Sequence, residues 1–315
     1  MFVGVDIGGT NTKLGIISKL GRVVATSSFK TRIPREPNSL VKETFENIEK
    51  LLKANEMSIE DIEGIGVGVP GVVDDKGIIV NATNLQWKDV KFKDMFSAFT
   101  KKPIAIGNDA DCAMLAEWKF GGAKGARNAI LVTLGTGIGS GIILDGKLYK
   151  AAHGTGSECG HMVIKFDGEM CSCGNRGCWE RYASAKALTK RTEEAVMQNP
   201  NGILSKIVSQ YGRASAHSCF EGARKGDAVS KKLVDDYIDY VVCGLINLTQ
   251  IFHPEMFVLG GGVAKEGPAF IKAVDSKLNE FLVKNNFEPK VVVKGPVLEN
   301  NAGVVGAAAL VMEDK

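Results

Sequence analysis

Nowhere in the 315 residues does the pattern GxxxxGK[ST] occur, so no P-loop is available to cradle a nucleotide. No apolar run approaches the roughly 18 residues that span a bilayer, and no transmembrane helix is expected. The first residues, MFVGVDIGGTNTK, lack a basic leader, an apolar core and a small-residue cleavage site, so a cytoplasmic location is expected. Long runs of one charge are missing too: 39 Lys and Arg stand against 36 Asp and Glu, and the net +3 is spread along the chain. Neither nucleic acid nor a membrane surface is therefore an expected partner. Cysteine is scarce and odd in number, seven in all, with three bunched as CxCxxxxC. In a reducing compartment that pattern favours a metal over disulfides, and the sequons at Asn81 and Asn247 carry no meaning there.

What is present is an ordinary globular composition, 44% hydrophobic and 24% charged, long enough for two cored domains. Strands are expected over 2–7 and 14–17 around a Gly-Gly-Thr turn, and a third near 23–29. Leu40, Val41, Phe45, Ile48, Leu51 and Leu52 recur at a period of 3.6, predicting a helix capped by Asn38 or Ser39. A strand over 65–69 follows. The pattern restarts at Ala129: Val5-Asp-Ile-Gly-Gly-Thr lines up with Val132-Thr-Leu-Gly-Thr-Gly, 127 positions on, which suggests a duplicated βββαβ unit. Further on, helices are expected from Ala183, from Asp227 to Phe252, after Pro268 and over 302–312, with strands at 256–259 and 291–293. The strand at 104–107 is the expected start of the second half.

Three glycine turns follow apolar strands: Gly8-Gly9-Thr10, Gly135-Thr136-Gly137-Ile138-Gly139 and Gly260-Gly261-Gly262. One such turn is a hairpin; three together, with Asp6, Asn11 and Lys13 around the first, form concave sites that suit phosphates. Gly66, Gly68 and Gly71 fit the string GxGxxG, but Val-Val-Asp-Asp-Lys-Gly follows, a turn with no helix N-terminus for a pyrophosphate, so NAD binding is rejected. Asn108 can cap the helix through Met114, Leu115 and Trp118; Asp109 beside it is either a first-turn acid or a general base.

His161, Cys171, Cys173 and Cys178 fall within 18 positions, the ligand count and chemistry of a closed, structural zinc site. Glu158 and Glu180 flank it. His217 and His253 have no acidic or cysteine cluster around them and read as surface or packing histidines. His153 is a candidate for reaching the cleft from its glycine-rich loop. Cys112, Cys219 and Cys243 read as buried thiols, and Cys159 as the free thiol most open to oxidation.

With the glycine turns, Asn108-Asp109, Glu158-Cys-Gly-His161 and Cys171-Ser-Cys-Gly-Asn-Arg-Gly-Cys178-Trp-Glu180 in this order, the chain resembles the ROK-family sugar kinases over nearly its whole length. Within that family it is most similar to the bacterial ATP-dependent glucokinases. The resemblance implies an α/β, actin-like ATPase (ribonuclease H-like) fold, two α/β domains closing over a cleft, with a small zinc loop. Residues 1–107 with about 301–315 would form one domain and 108–300 the other.

It implies phosphorylation of the 6-hydroxyl of glucose by ATP, with Asp109 as base and magnesium near Asp6. Gly8, Gly9, Thr10, Asn11 and Lys13 would serve the first phosphate loop; Thr133, Gly135, Thr136 and Gly137 the second; Gly260, Gly261 and Gly262 the adenosine side. Gly71, Asn84, Asn108, Glu158, His161 and Glu180 would line the sugar site, His161 also binding zinc. Ser157 and Cys159 depart from the family pattern and bear on fine sugar specificity. Kinases for N-acetylmannosamine, N-acetylglucosamine, mannose or fructose stay open as alternatives. The family's sugar-responsive repressors carry a helix-turn-helix ahead of the first phosphate loop, for which a first strand at Phe2 leaves no room. A homodimer or homotetramer is expected.

Overall fold

The computed structural model describes residues 1–151, 157–288 and 290–313; His153 lies outside them. The chain opens with β1 (Phe2–Ile7), β2 (Asn11–Ile17) and β3 (Val23–Lys30), then α1 (Pro37–Lys53) and β4 (Ile65–Val69). The next elements are β5 (Val72–Val73), β6 (Ile79–Ala82), β7 (Trp87–Val90), α2 (Phe92–Ser97), β8 (Ile104–Asn108) and α3 (Asp109–Phe120). After them come β9 (Ala129–Leu134), β10 (Ile138–Leu144) and β11 (Lys147–Leu148). A helical stretch runs through α4 (Glu180–Ala183), α5 (Ala185–Gln198), α6 (Ile203–Tyr211), α7 (Ala216–Arg224) and α8 (Ala228–Phe252). The chain ends with β12 (Met256–Gly260), α9 (Pro268–Lys284), β13 (Val292–Lys294) and α10 (Ala302–Glu313).

The duplication expected from the glycine turns is present in the topology. One five-stranded sheet has the order β3-β2-β1-β4-β8 and another the order β11-β10-β9-β12-β13, the same path traced twice. A shift of 127 positions carries Phe2–Ile7 onto Ala129–Leu134 and Asn11–Ile17 onto Ile138–Leu144, the bounds of β9 and β10. In each sheet the antiparallel hairpin is made by a glycine turn, and the parallel partners arrive after crossovers, as the longer connections require.

Contacts divide the chain into one unit of Met1–Ala129, Gly141–Ser157 and Val297–Lys315, and a second of Ile130–Ser140 and Glu158–Pro296. The division falls later than the strand at 104–107 that the sequence suggested, because α3 packs on α10 in the first unit.

In the first unit the predicted apolar face of α1 is buried: Leu40, Val41, Phe45, Ile48, Leu51 and Leu52 join Val3, Val5, Leu14 and Val67 in one core. Each such side chain contributes about 1.5–3 kcal/mol. The helix starts at Pro37, not at a cap by Asn38 or Ser39; Glu36 takes the cap position without a side-chain bond, and the fixed φ of proline suits the first turn. A Cβ on Gly66 would run into the carbonyl of Ala307, so this glycine serves the close approach of α10 to the sheet. With β5 after β4, the GxGxxG string has no helix behind it. Glu117 is fully buried and accepts backbone N–H groups from Gly122 (2.8 Å), Val297 (3.0 Å) and Leu298 (2.8 Å), pinning the entry to α10.

In the second unit α8 runs from Ala228 with Asp227 as its cap, whose carboxylate accepts the N–H of Ser230 at 2.8 Å. Among the described residues no helix is long and apolar enough to cross a membrane.

Candidate active site and metal centre

In the first unit Asp6, next to last in β1, lies directly opposite Lys13 of β2. Burial pushes the Asp6 carboxyl above its ordinary value, and the Lys13 charge only partly offsets that. The turn between them is closed from within. The N–H of Gly8 donates to the carbonyl of Asn11 at 3.0 Å, and Thr31 donates its hydroxyl to the Gly8 carbonyl at 2.7 Å. The amide of Gly8 is thus spent inside the turn, and its exposed part is Gly9, Thr10 and Asn11, with Lys13 also at the surface.

Asn108 caps α3: its Oδ1 accepts the N–H groups of Ala110 (2.8 Å) and Asp111 (3.2 Å). Its Nδ2 donates to the carbonyl of Gly71 at 2.9 Å. Asp109 is the first residue of α3 and is exposed, with Oδ1 accepting the N–H of Ala110 at 2.9 Å. Asn84 is exposed on the turn Thr83–Leu85 after β6, and β6 pairs with β5, the strand that follows Gly71. The first unit therefore joins Asn108 to Gly71 by a bond and carries Asn84 on the small sheet that starts beside Gly71.

The second unit assembles the cysteines and His161. Their four ligand atoms lie within 4.8 Å of one another. His161 Nδ1 is 3.6 Å from Cys171 Sγ, and Cys173 Sγ is 3.6 Å from Cys178 Sγ. Tetrahedral thiolates at a Zn–S length of about 2.3 Å stand about 3.8 Å apart, so the donor set and its spacing fit zinc. The loop is pre-folded around them: Cys171 N–H donates to the Asn175 carbonyl at 2.8 Å, and Val163 bridges to Cys178. Burial pushes the Cys178 thiol up to about 12, whereas a backbone hydrogen bond at Asn175 lowers Cys173. Trp179, fully buried, donates its indole N–H to the Tyr240 carbonyl at 2.7 Å and fixes the peptide between Cys178 and Glu180.

With Nδ1 of His161 turned to the cluster, its Nε2 faces Glu158 at 4.0 Å. Burial raises the Glu158 carboxyl; the histidine lowers it and Glu180 raises it again by smaller amounts. Glu180 Oε2 accepts the N–H of Ile138 at 2.9 Å. A Cβ on Gly137 would strike that same oxygen, and one on Gly160 would strike the Ile138 carbonyl. The segments around Glu158 and Glu180 thus close on the Ile138 peptide from two sides.

The second glycine turn is also closed from within, one residue tighter than the first, with Gly135 N–H donating to the Gly137 carbonyl at 3.0 Å. Ala185 N–H binds the Gly135 carbonyl at 2.8 Å, and Thr133 Oγ1 accepts the Gly139 N–H at 3.1 Å. Gly261, at φ 84°, lies against the Leu134 backbone, which brings Gly260–Gly262 to the end of β9 beside Gly135 and Thr136.

Some contacts had no signal in the sequence. His217, read as a surface or packing histidine, sits 2.9 Å from Glu266, which also pairs with Arg224 at 2.9 Å; 49 positions separate the histidine and the acid. Glu169 gathers Arg181 and Lys190 at 3.3 and 3.1 Å, tying the cysteine loop to α5. Cys112 and Cys219 are buried as expected, while Cys243 and Cys159 are partly exposed.

Two like α/β halves, each with a glycine hairpin at the head of its sheet, define the actin-like ATPase fold of the sugar kinases. The chain belongs to the ROK family, whose model matches residues 2–314. It is 32% identical to the glucokinase of Halalkalibacterium halodurans over 319 residues, covering all of this chain and 96% of that protein. A ROK family glucokinase from Streptomyces griseus, solved with glucose and AMPPNP, superimposes with a TM-score of 0.85 at 30% identity over 99% of both chains. The xylose repressor of Caldicellulosiruptor bescii is 29% identical over 316 residues, which cover 99% of this chain but 78% of the repressor.

Proposed function

We propose that this ROK-family chain is a hexose kinase that transfers the γ-phosphoryl group of ATP to the 6-hydroxyl of glucose. The products are glucose 6-phosphate and ADP. The observation that carries the reading is the end-to-end likeness to glucokinases, one of them solved with glucose and an ATP analogue. The clustering of Glu158, His161 and Glu180 beside a glycine turn supports it.

In this reading Asp109 accepts the proton of the 6-hydroxyl while that oxygen bonds to the γ-phosphorus and the bond to the β-phosphate oxygen breaks. Asn108, Gly71, Asn84, Glu158, His161 and Glu180 are the sugar ligands. Gly9, Thr10, Asn11 and Lys13 serve the phosphates at the first turn, Thr136 and Gly137 at the second, and Gly260–Gly262 the adenosine side. Gly8, Gly135 and Thr133 brace those turns, in keeping with their internal bonds. Asp6 would hold magnesium, which when bound neutralises charge on the transferring phosphoryl group. His161, Cys171, Cys173 and Cys178 would hold zinc, which fixes the loop and takes no part in the chemistry.

The test is ADP formation across glucose, mannose, fructose, N-acetylglucosamine and N-acetylmannosamine. The reading expects glucose to give the highest kcat/KM and a phosphorylated sugar equal to the ADP released. A higher kcat/KM for an N-acetylated sugar overturns the glucose assignment, and ADP release that no sugar stimulates overturns the kinase.

A further inference from the structure

Glu180 is placed to do two things with one carboxylate. Its Oε2 holds the N–H of Ile138, the residue that leaves the second glycine turn and begins β10. Gly137 lacks the side chain that would push this oxygen away. That bond leaves Oε1 for a ligand. Among the described residues, the Ala185 amide on Gly135 and the Thr133 hydroxyl on Gly139 also tie the turn, and neither is a candidate sugar ligand. Glu180 alone among these ties is also a candidate sugar ligand. Its own backbone is anchored on both flanks, by the buried Trp179 indole before it and by Ser184 N–H donating to its carbonyl at 3.3 Å after it.

We propose that Glu180 couples the two substrates: the carboxylate that grips the sugar also fixes the Ile138 peptide, so sugar and nucleotide each raise the affinity for the other. This rests on the reading of Glu180 as a sugar ligand and of residues 135–139 as a phosphate loop. The sign follows from ordering. A hydroxyl bound at Oε1 removes rotamer freedom from a side chain that must be in place for Oε2 to hold Ile138. A nucleotide that needs the turn in that conformation then meets it already ordered. A hydrogen bond to a carboxylate is charge-assisted and roughly twice as strong as a neutral one, so the link has the strength to carry this effect. By linkage the factor is the same in both directions.

Calorimetry tests it on the intact protein, titrating Mg-AMPPNP with and without saturating glucose, then glucose with and without Mg-AMPPNP. The expected factor is about fivefold or more, equal in the two orders. Glu180→Gln keeps an acceptor for the Ile138 N–H and should retain coupling while glucose binds more weakly. Glu180→Ala and Gly137→Ala should each weaken AMPPNP binding in the absence of any sugar and bring the factor to one. The inference is overturned if Glu180→Ala loses glucose affinity but binds AMPPNP as the wild type does. A wild-type factor of one overturns it as well, with the kinase reading intact. Wild-type protein that binds neither ligand overturns both.

Discussion

The side-chain amide of Asn108 ends β8, caps α3 with its oxygen and donates from its nitrogen to the carbonyl of Gly71 at 2.9 Å. One residue thereby fixes the helix that begins with Asp109 and the turn that leads into β5. Asn108→Ala should cost about 1 kcal/mol of stability through the lost cap and raise the KM for glucose. Asn108→Asp keeps the capping oxygen but has no N–H for Gly71. It retains the cap, so its loss of stability in urea denaturation reports the Gly71 bond alone, while the KM should still rise, which separates the two roles.

Metal removal should release the cysteine loop. Structural zinc can contribute roughly 10 kcal/mol or more to local folding, and the loop carries Glu158, His161 and Glu180. Chelated protein should lose glucose affinity. It should also be alkylated first at Cys173, which is exposed and has a lowered thiol value. Cys219, pushed up to about 12 by burial, and Cys112, raised by burial and nearby acids, should stay unlabelled until the protein unfolds. Mass spectrometry of the alkylated protein reads this directly, and unchanged glucose affinity after complete zinc loss would refute the scaffold role.

Burial of the Asp6 carboxyl makes stability depend on pH. Its folded value lies above the ordinary 3.8 because it is buried, so the folded state binds the extra proton between the two values. Stability that is present below 3.8 is lost as pH rises through the raised folded value. Asp6→Asn should therefore melt higher than the wild type at pH 7 without magnesium, by a few degrees, and the gap should close on acidification toward 3.8. The same variant should lose kinase activity. Calorimetric melts of the two proteins at several pH values supply the check.

Glu117 is fully buried with three backbone N–H donors on its carboxylate. Glu117→Ala leaves those donors without a partner, each costing about 1–3 kcal/mol. A loss of about 3 kcal/mol or more is expected in urea unfolding. Glu117→Gln, which keeps one acceptor oxygen, should fall between.

The repeat was legible because glycine turns and the strands around them are local: the 127-residue shift seen at Val5 and Val132 carries whole strands onto whole strands. The cap at Asn108, the long α8 and the cysteine cluster were legible for the same reason. Contacts made across sequence were not. Glu117 reads as one more helical acid until residues 297 and 298 arrive 180 positions later. Gly137 reads as a phosphate-loop glycine, and only the fold shows the Glu180 carboxylate in the space its side chain would fill. The small sheet of β5, β6 and β7 was missed because its strands are two to four residues long, too short for an alternating pattern to register.

The most direct measurement is the turnover of Asp109→Ala set beside its glucose affinity. A general base removed from phosphoryl transfer costs on the order of 10²–10⁴ in rate. The account predicts a kcat reduced by that factor or more, with the dissociation constant for glucose within about threefold of the wild type. A variant with near-normal kcat would contradict it.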